Sequence, residues 1–381
     1  MRVIVVGGGI MGLSTAFALR NAGHRVALYE QGSIPNPHGS SVDQHRLIRH
    51  PYGPMTGYAR LINPALAAWD RMWSGLGQRL MHQTGTLMLA REDLSWVEDS
   101  LRDADALGIE HQRLTPSALT DRAPMLRADG VELAAWVNSG GVLMARDIVA
   151  ALGTHLLMNG VTVNTNTPVV DIDPVRGSIV LEDGSRARAD AVVVAAGPWV
   201  RSLFPPAVGR VKPSRQVVMY LEPPQAHKAA WANAPMVLDI HGAGGIYAVP
   251  PVAGTGLKIG DHSFSMKGHP DRNRGVKEGE VNALFEACRS RIKDLDEYTI
   301  ASATSCFYTV QKEERFVLEP IEKAVLMTGF SGHGFKFGAL MGELASGLIA
   351  GRIEPNEATA LAAGEVGNLT EIDSITNRCL G

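Results

Sequence analysis

The first thirty residues restrict the fold of this chain more than any other stretch. Residues 3–6 are a β-branched run that ends at Gly7-Gly8-Gly9-Ile10-Met11-Gly12, and residues 13–20 continue with the composition of a helix. A second strand-like run, residues 25–29, ends at Glu30. Strand, glycine turn, helix and strand in this order open a βαβ unit. Gly7, Gly9 and Gly12 then divide the work of a dinucleotide fingerprint: a tight turn, close approach of backbone to a pyrophosphate, and close packing of helix on strand. Ile10 and Met11, at the helix start, join the candidate cofactor contacts. Glu30 lies at the distance where a carboxylate accepts the ribose hydroxyls of an adenosine. A purely structural turn would explain the glycines but not the acid. FAD and NAD are not separated by this pattern.

Composition narrows the rest. With 381 residues, 45% hydrophobic and 20% charged, the chain is long enough for two packed domains. A net charge of -3 without any Lys/Arg block leaves no footprint for nucleic acid or an anionic membrane, so small molecules are the expected partners. Cys288, Cys306 and Cys379 are widely spaced and odd in number, which argues for a reducing compartment. No apolar run reaches the roughly 18 residues of a membrane span, and the first glycines come too early for a signal peptide. A cytoplasmic location follows by default.

A second glycine loop lies near the end of the chain. Residues 323–327 read as a buried strand, Gly329, Gly332 and Gly334 follow with His333, Phe335 and Lys336 among them, and a helix is expected from 338. Backbone N–H groups and a helix dipole there suit an anionic or electron-accepting ring. Residues 190–199 form another strand and turn, at Ala196-Gly197, that returns the chain to the cofactor domain. That domain is therefore discontinuous: 1–81, 141–208 and 312–381, with 82–140 and 209–311 as a second domain.

The expected class is mixed α/β, with a Rossmann-like domain interleaved with a largely antiparallel sheet. That sheet takes strands at 211–221, 236–240, 245–249 and 256–262; 82–90 reads as a strand that leaves the first domain, 301–310 as a further β-rich run, and 91–135 as helices without chemistry. Lys258 and His262 share one face of their strand, and on the residues alone such a lysine is expected to be solvated. Cys306 and Tyr308 share a face of theirs, where a buried, inert thiol is the ordinary outcome. Residues 39–53 read as a polar basic loop with Arg46 and Arg49 three apart, but the segment follows the second strand of the cofactor unit and so must pass near the cofactor's reactive end. The stretch after 366 reads as a surface extension.

Taken together, Gly7-Gly9-Gly12, Glu30, Arg46-Leu47-Ile48-Arg49-His50-Pro51-Tyr52, Leu257-Lys258-Ile259-Gly260-Asp261-His262, Ser305-Cys306-Phe307-Tyr308-Thr309 and Gly329 to Lys336 resemble the family of monomeric sarcosine oxidase and N-methyltryptophan oxidase. These are FAD-dependent amine oxidoreductases of the D-amino-acid oxidase superfamily, and the resemblance spans nearly the whole chain. It implies FAD joined through the Cys306 sulfur to its 8α position. Lys258 would hold a water near flavin N5 and assist reaction with oxygen. Arg49 and Lys336 would bind the substrate carboxylate, Arg46 would lie by the flavin, and His262, Tyr308 and His45 would face the substrate. Ser40, Val170, Ala196, Gly197, Gly332, His333, Gly334 and Phe335 complete the implied cofactor contacts; no metal is implied.

An arginine fork beside a second cation suits a carboxylate, and both charges lower the pKa of a nearby amine. Two departures from the family pattern stand out. Asp43-Gln44-His45 replaces Gly-Asp-Thr, and Asp261 replaces an aromatic residue, adding a carboxylate near Lys258 and His262. The reading is an oxidase of a small secondary amino acid, N-methyl or cyclic, that returns electrons to O2 as hydrogen peroxide. The rivals are a dehydrogenase with another electron acceptor and a flavin-retaining binding protein. A monomer is expected.

Overall fold

Strand Arg2–Val6 is buried from Val3 onward and pairs in parallel on both sides, with Arg25–Tyr29 and Ala191–Val194. It lies at the centre of a six-stranded sheet in this computed structural model, which describes residues 1–240, 245–261 and 263–380. The order across the sheet is Val317–Ile321, Ala324–Thr328, Ala191–Val194, Arg2–Val6, Arg25–Tyr29 and Thr162–Asn164. Only the first of these runs antiparallel to its neighbour. Such strands are covered on both faces, which is why Ala191–Val194 and Ala324–Thr328 are apolar and buried along their whole length.

Two helices on this sheet decide where a ligand can sit. Ile10–Asn21 and Gly338–Ile349 touch at matched steps of four residues. A Cβ on Gly338 would lie 2.5 Å from the Ile10 side chain, and one on Gly342 would lie 2.5 Å from the Ser14 backbone. Positions 10 and 14 therefore meet 338 and 342 in the same direction, so the helices run parallel. Both N-termini point to the carboxyl ends of the strands, the usual ligand end of such a sheet.

The second sheet has eight strands, in the order Thr299–Val310, Lys212–Glu222, Leu257–Asp261, Ile246–Val249, Met236–Asp239, Thr86–Ala90, Leu133–Val137 and His111–Leu114. All neighbours are antiparallel except Met236–Asp239 with Thr86–Ala90. Two small sheets, one of Arg46–Ile48, Gly141–Leu143 and Met81–Gln83 and one of Val169–Asp173, Ser178–Leu181 and Arg186–Arg188, accompany them in this mixed α/β architecture. No helix among the described residues is long and apolar enough to cross a membrane.

Several expectations need correction. The strand expected at 82–90 is two strands in different sheets, broken at Gly85, whose φ of 72° lies in the left-handed region. The stretch 91–135 holds two strands of the large sheet beside its helices. The end of the chain is no surface extension: Leu369–Leu380 is a helix that buries Ile372, Ile375, Thr376 and Cys379. Their spacing of three and four makes one apolar stripe on an otherwise polar segment. It packs on Gly338–Ile349, where a Cβ on Gly347 would meet the Cys379 sulfur at 2.8 Å.

Candidate active site

A cavity of about 420 Å³ opens at the strand ends. Its wall at one end is backbone from Gly7 to Gly9, with Ile10 and Met11, followed by Glu30, Gln31 and Asn36. Side chains cannot replace two of the glycines. Gly7 has φ 112° and a Cβ there would lie 2.3 Å from the Ala195 carbonyl oxygen; a Cβ on Gly12 would lie 1.9 Å from the Gly7 oxygen. Gly12 thus packs behind the wall rather than lining it. Glu30 is buried and accepts hydrogen bonds from Gly8 N at 2.6 Å, Gly32 N at 2.9 Å and Asn36 Nδ2 at 2.8 Å. The turn that follows the second strand is thereby tied to the glycine loop, and Ser41 adds a bond from Ile10 N to its Oγ at 2.9 Å.

At the far end the wall consists of Ser40, Arg46, Tyr308, Phe330, Gly332, Gly334 and Phe335, with Val170, Ala196 and Gly197 along the side. The late glycine loop is pinned to strand Thr299–Val310 through Ser331 N to Thr309 O at 2.9 Å and Gln311 N to Ser331 Oγ at 3.1 Å. A Cβ on Gly332 would lie 2.5 Å from the Tyr308 ring, so the glycine leaves room for that ring to reach the cavity. Cys306, two residues earlier on the same face, lies behind Ser40, with Sγ 3.9 Å from the Ser40 carbonyl oxygen. Burial pushes the Cys306 thiol up, and the nearby Arg46 draws it down.

Behind Arg46 lies a charged cluster drawn from three segments. Asp43 accepts hydrogen bonds from Arg46 Nη1, Lys258 Nζ and the Tyr220 hydroxyl, and forms ion pairs with both cations. Arg46 also donates to the Ser40 oxygen at 2.9 Å, which fixes it at the cavity wall. Lys258 is 3% exposed, so the solvated lysine expected from the strand pattern is incorrect: its face points inward, towards the turn that carries Asp43. Burial alone would raise the Asp43 carboxyl, but Lys258 and Arg46 outweigh it and hold the group far below the ordinary carboxylate range. Lys258 is drawn down to about 8, by burial first and Arg46 second. The carboxylate beside this lysine is therefore Asp43; Asp261 lies on the opposite side of the pleat from Lys258 and accepts from Ser263 Oγ. His45 is fully buried, with Nε2 3.3 Å from the Gly256 oxygen, and burial, then Lys258, pushes it down to about 4.

A second cationic site lies on the other side of the Arg46–Ile48 strand. Arg49 is buried, with its guanidinium carbon 4.5 Å from the Tyr52 ring centre and 5.6 Å from that of Trp96. Its Nε and Nη1 have no hydrogen-bond partner among the described residues. Lys336 is also buried, donates to the His333 oxygen at 3.1 Å and lies 5.5 Å from the Tyr52 ring centre. Burial lowers both, and for Lys336 the charges of Arg49 and Arg46 lower it further. Buried guanidinium donors left unpaired are costly, and an arriving anion would relieve them.

A family described as FAD dependent oxidoreductase (DAO) matches residues 2–348. The chain belongs to this family. Among its relatives, monomeric sarcosine oxidase of Bacillus sp. (strain NS-129) is 29% identical over 355 residues, 90% of each chain. Peroxisomal sarcosine oxidase of Homo sapiens is 28% identical, again over 90% of both. N-methyl-L-tryptophan oxidase of Yersinia pestis (strain Pestoides F) is 24% identical, over 90% of this chain and 93% of the relative. In fold the chain is similar to L-proline dehydrogenase from P. horikoshii, with TM-score 0.79, 18% identity and coverage of 92% and 93%. Glycine oxidase from Bacillus cereus ATCC 14579 superposes with TM-score 0.74, at 21% identity over 93% and 96% of the two chains.

The family cofactor suits the cavity. Two parallel helix N-termini, a glycine wall whose turn at Gly7 has no room for a Cβ and an acid at the end of the second strand match a dinucleotide. Of the residues the sequence marked for the cofactor, Gly7, Gly9, Ile10, Met11, Glu30, Ser40, Arg46, Val170, Ala196, Gly197, Gly332, Gly334 and Phe335 line the cavity. Gly12, Cys306, His333 and Lys336 stand behind that wall. His333 is hydrogen-bonded to the Tyr52 hydroxyl at 3.3 Å and packs among Tyr58 and Phe316. His262 lies outside the described residues.

Sequence reasoning named Asp43 only as a departure from the family pattern and missed Tyr220, Trp96 and Tyr247, which lies within electrostatic reach of Arg46 and Asp43. Tyr247 had a signal: Gly260, in a strand between Lys258 and residue 262, marks a close approach, and a Cβ there would lie 2.4 Å from the Tyr247 hydroxyl.

Proposed function

We propose that this FAD-dependent oxidoreductase is an oxidase of a small secondary amino acid, N-methylated or cyclic, that yields an imine and passes two electrons to dioxygen as hydrogen peroxide. The observation that carries this is the buried Arg49, with two nitrogens unpartnered among the described residues, beside the buried Lys336. A carboxylate completes both.

FAD, when bound, supplies the two-electron acceptor for oxidation of the carbon–nitrogen bond. The chain's residues handle the rest. Arg49 and Lys336 orient the carboxylate and fix the adjacent amine, and their charges favour its neutral form, which exposes the nitrogen lone pair. Tyr308 and Arg46 form the wall at the reacting end, Lys258 stands behind Arg46 as the cation for a developing anion, and Cys306 is the attachment point for the flavin. His45 and His262 are assigned to the substrate side. The domain division at 81/82, 140/141, 208/209 and 311/312, a monomeric state and a cytoplasmic location belong to the same proposal.

The dehydrogenase reading is favoured by one observation: Asp43 compensates Lys258 and so weakens its pull on an anion formed from dioxygen. An oxygen-consumption and peroxide screen over sarcosine, other N-methyl amino acids, proline, pipecolate and primary amino acids tests both. Peroxide from a secondary amino acid supports the oxidase. Substrate oxidation seen only with an artificial acceptor supports the dehydrogenase.

A further inference from the structure

The turn of residues 43–45 is stitched to the strand that carries Lys258 by contacts that do not involve the cavity. Gly256 N donates to Gln44 Oε1 at 2.9 Å, His45 Nε2 lies 3.3 Å from the Gly256 oxygen, and Lys258 Nζ lies 3.4 Å from the His45 oxygen. Asp43 is the charged member of this seam. Its side chain is 6% exposed and takes two cations and the Tyr220 hydroxyl, and Tyr220 is the direct cross-strand partner of Lys258. The other ionisable neighbours of Arg46, Cys306 and Tyr308, are both pushed up by burial and stay neutral at ordinary pH. The charges in contact at this seam are those of Arg46, Lys258 and Asp43; Lys336 and Arg49 lie beyond Arg46 and are untouched by changes at Asp43 or Lys258.

We infer that Asp43 is a positioning residue that holds Lys258 against Arg46 and cuts the positive charge behind the Arg46 end of the cavity from two to one. The inference rests on the reading that the flavin ring lies at that end. Losing Lys258 alone leaves Arg46 cancelled by Asp43, whereas losing both restores the original single positive charge. Removal of the carboxylate should therefore rescue removal of the lysine, which a purely structural pair would not do.

The test uses the flavin-loaded protein and inorganic sulfite, an anion that adds to oxidised flavin more tightly when positive charge lies near the ring and bleaches its visible absorbance. Lys258→Met should weaken sulfite about tenfold, the effect of one nearby charge. Lys258→Met with Asp43→Asn should return to within about threefold of the native protein. Asp43→Asn alone leaves both cations and should bind sulfite more tightly than native, and this variant carries the test if Lys258→Met fails to fold. A double variant as weak as Lys258→Met, an unchanged Lys258→Met, or an Asp43→Asn no tighter than native would overturn the inference. Arg46→Met separates the two levels: if it alone alters sulfite affinity, the ring lies there and only the Asp43 inference fails. If it too has no effect, the placement of the ring fails.

Discussion

The two ends of the cavity are built by different means. The glycine end is main chain from one contiguous segment, closed by helix N-termini and one acid at the end of the next strand. The charged end is side chain, brought together from the turn before Arg46–Ile48, from Lys212–Glu222, Leu257–Asp261 and Thr299–Val310, and from the late loop. A backbone cradle tolerates no added atom and therefore fails completely when altered. A cluster of charged side chains can lose one member and retain its ligand at lower affinity, because the remaining charges readjust.

Four variants sharpen or break that contrast. Gly12→Val places atoms within 1.9 Å of the Gly7 oxygen and should abolish FAD retention, read as the loss of flavin absorbance in the purified protein. A Gly12→Val protein that stays yellow would erase the distinction between the ends. At the charged end, Arg49→Ala should keep its flavin but raise KM for carboxylate-bearing substrates on the order of 1000-fold, since a buried charge partner is lost. An unchanged KM would place the carboxylate elsewhere.

His45 gives the next effect, on stability. Its folded pKa of about 4 lies below the ordinary 6.5, so between these values the unfolded chain binds more protons. Stability is present in full above about 6.5 and falls as pH drops towards 4, by up to about 3 kcal/mol. His45→Gln should flatten the stability profile in this window, measured by denaturant unfolding; a profile as steep as native would assign the pH dependence to other groups. The smallest effect on the fold belongs to Cys306→Ala, which should change stability by no more than about 1 kcal/mol. The native protein should keep its colour on acid precipitation, whereas this variant should release it. A native pellet that loses its colour would remove the covalent link.

The same contrast explains what could be read before any coordinates. Gly7, Gly9, Gly12 and Glu30 act through local spacing, and spacing is visible in a sequence. The late loop at 329–334 was legible for the same reason. Lys258 was not: strand parity says which residues share a face but not which face is inward, and its partner Asp43 is 215 positions away. Nor was Trp96, which stacks near Arg49 from a helix whose pattern carries only packing information. The last helix shows the converse, since its apolar stripe is regular in the sequence but dilute among polar residues. The resemblance supplied the roles proposed for Arg49, Lys336 and Cys306, which periodicity alone could not assign.

The central claim is that one flavin spans both ends, with its ring facing the Arg49 and Lys336 pocket. Titration of the flavin-loaded protein with acetate, followed by the flavin absorption spectrum, tests this without turnover. A saturable spectral change in the native protein that disappears in Arg49→Ala is the predicted result. The same change, at the same affinity, in the Arg49→Ala protein would contradict it.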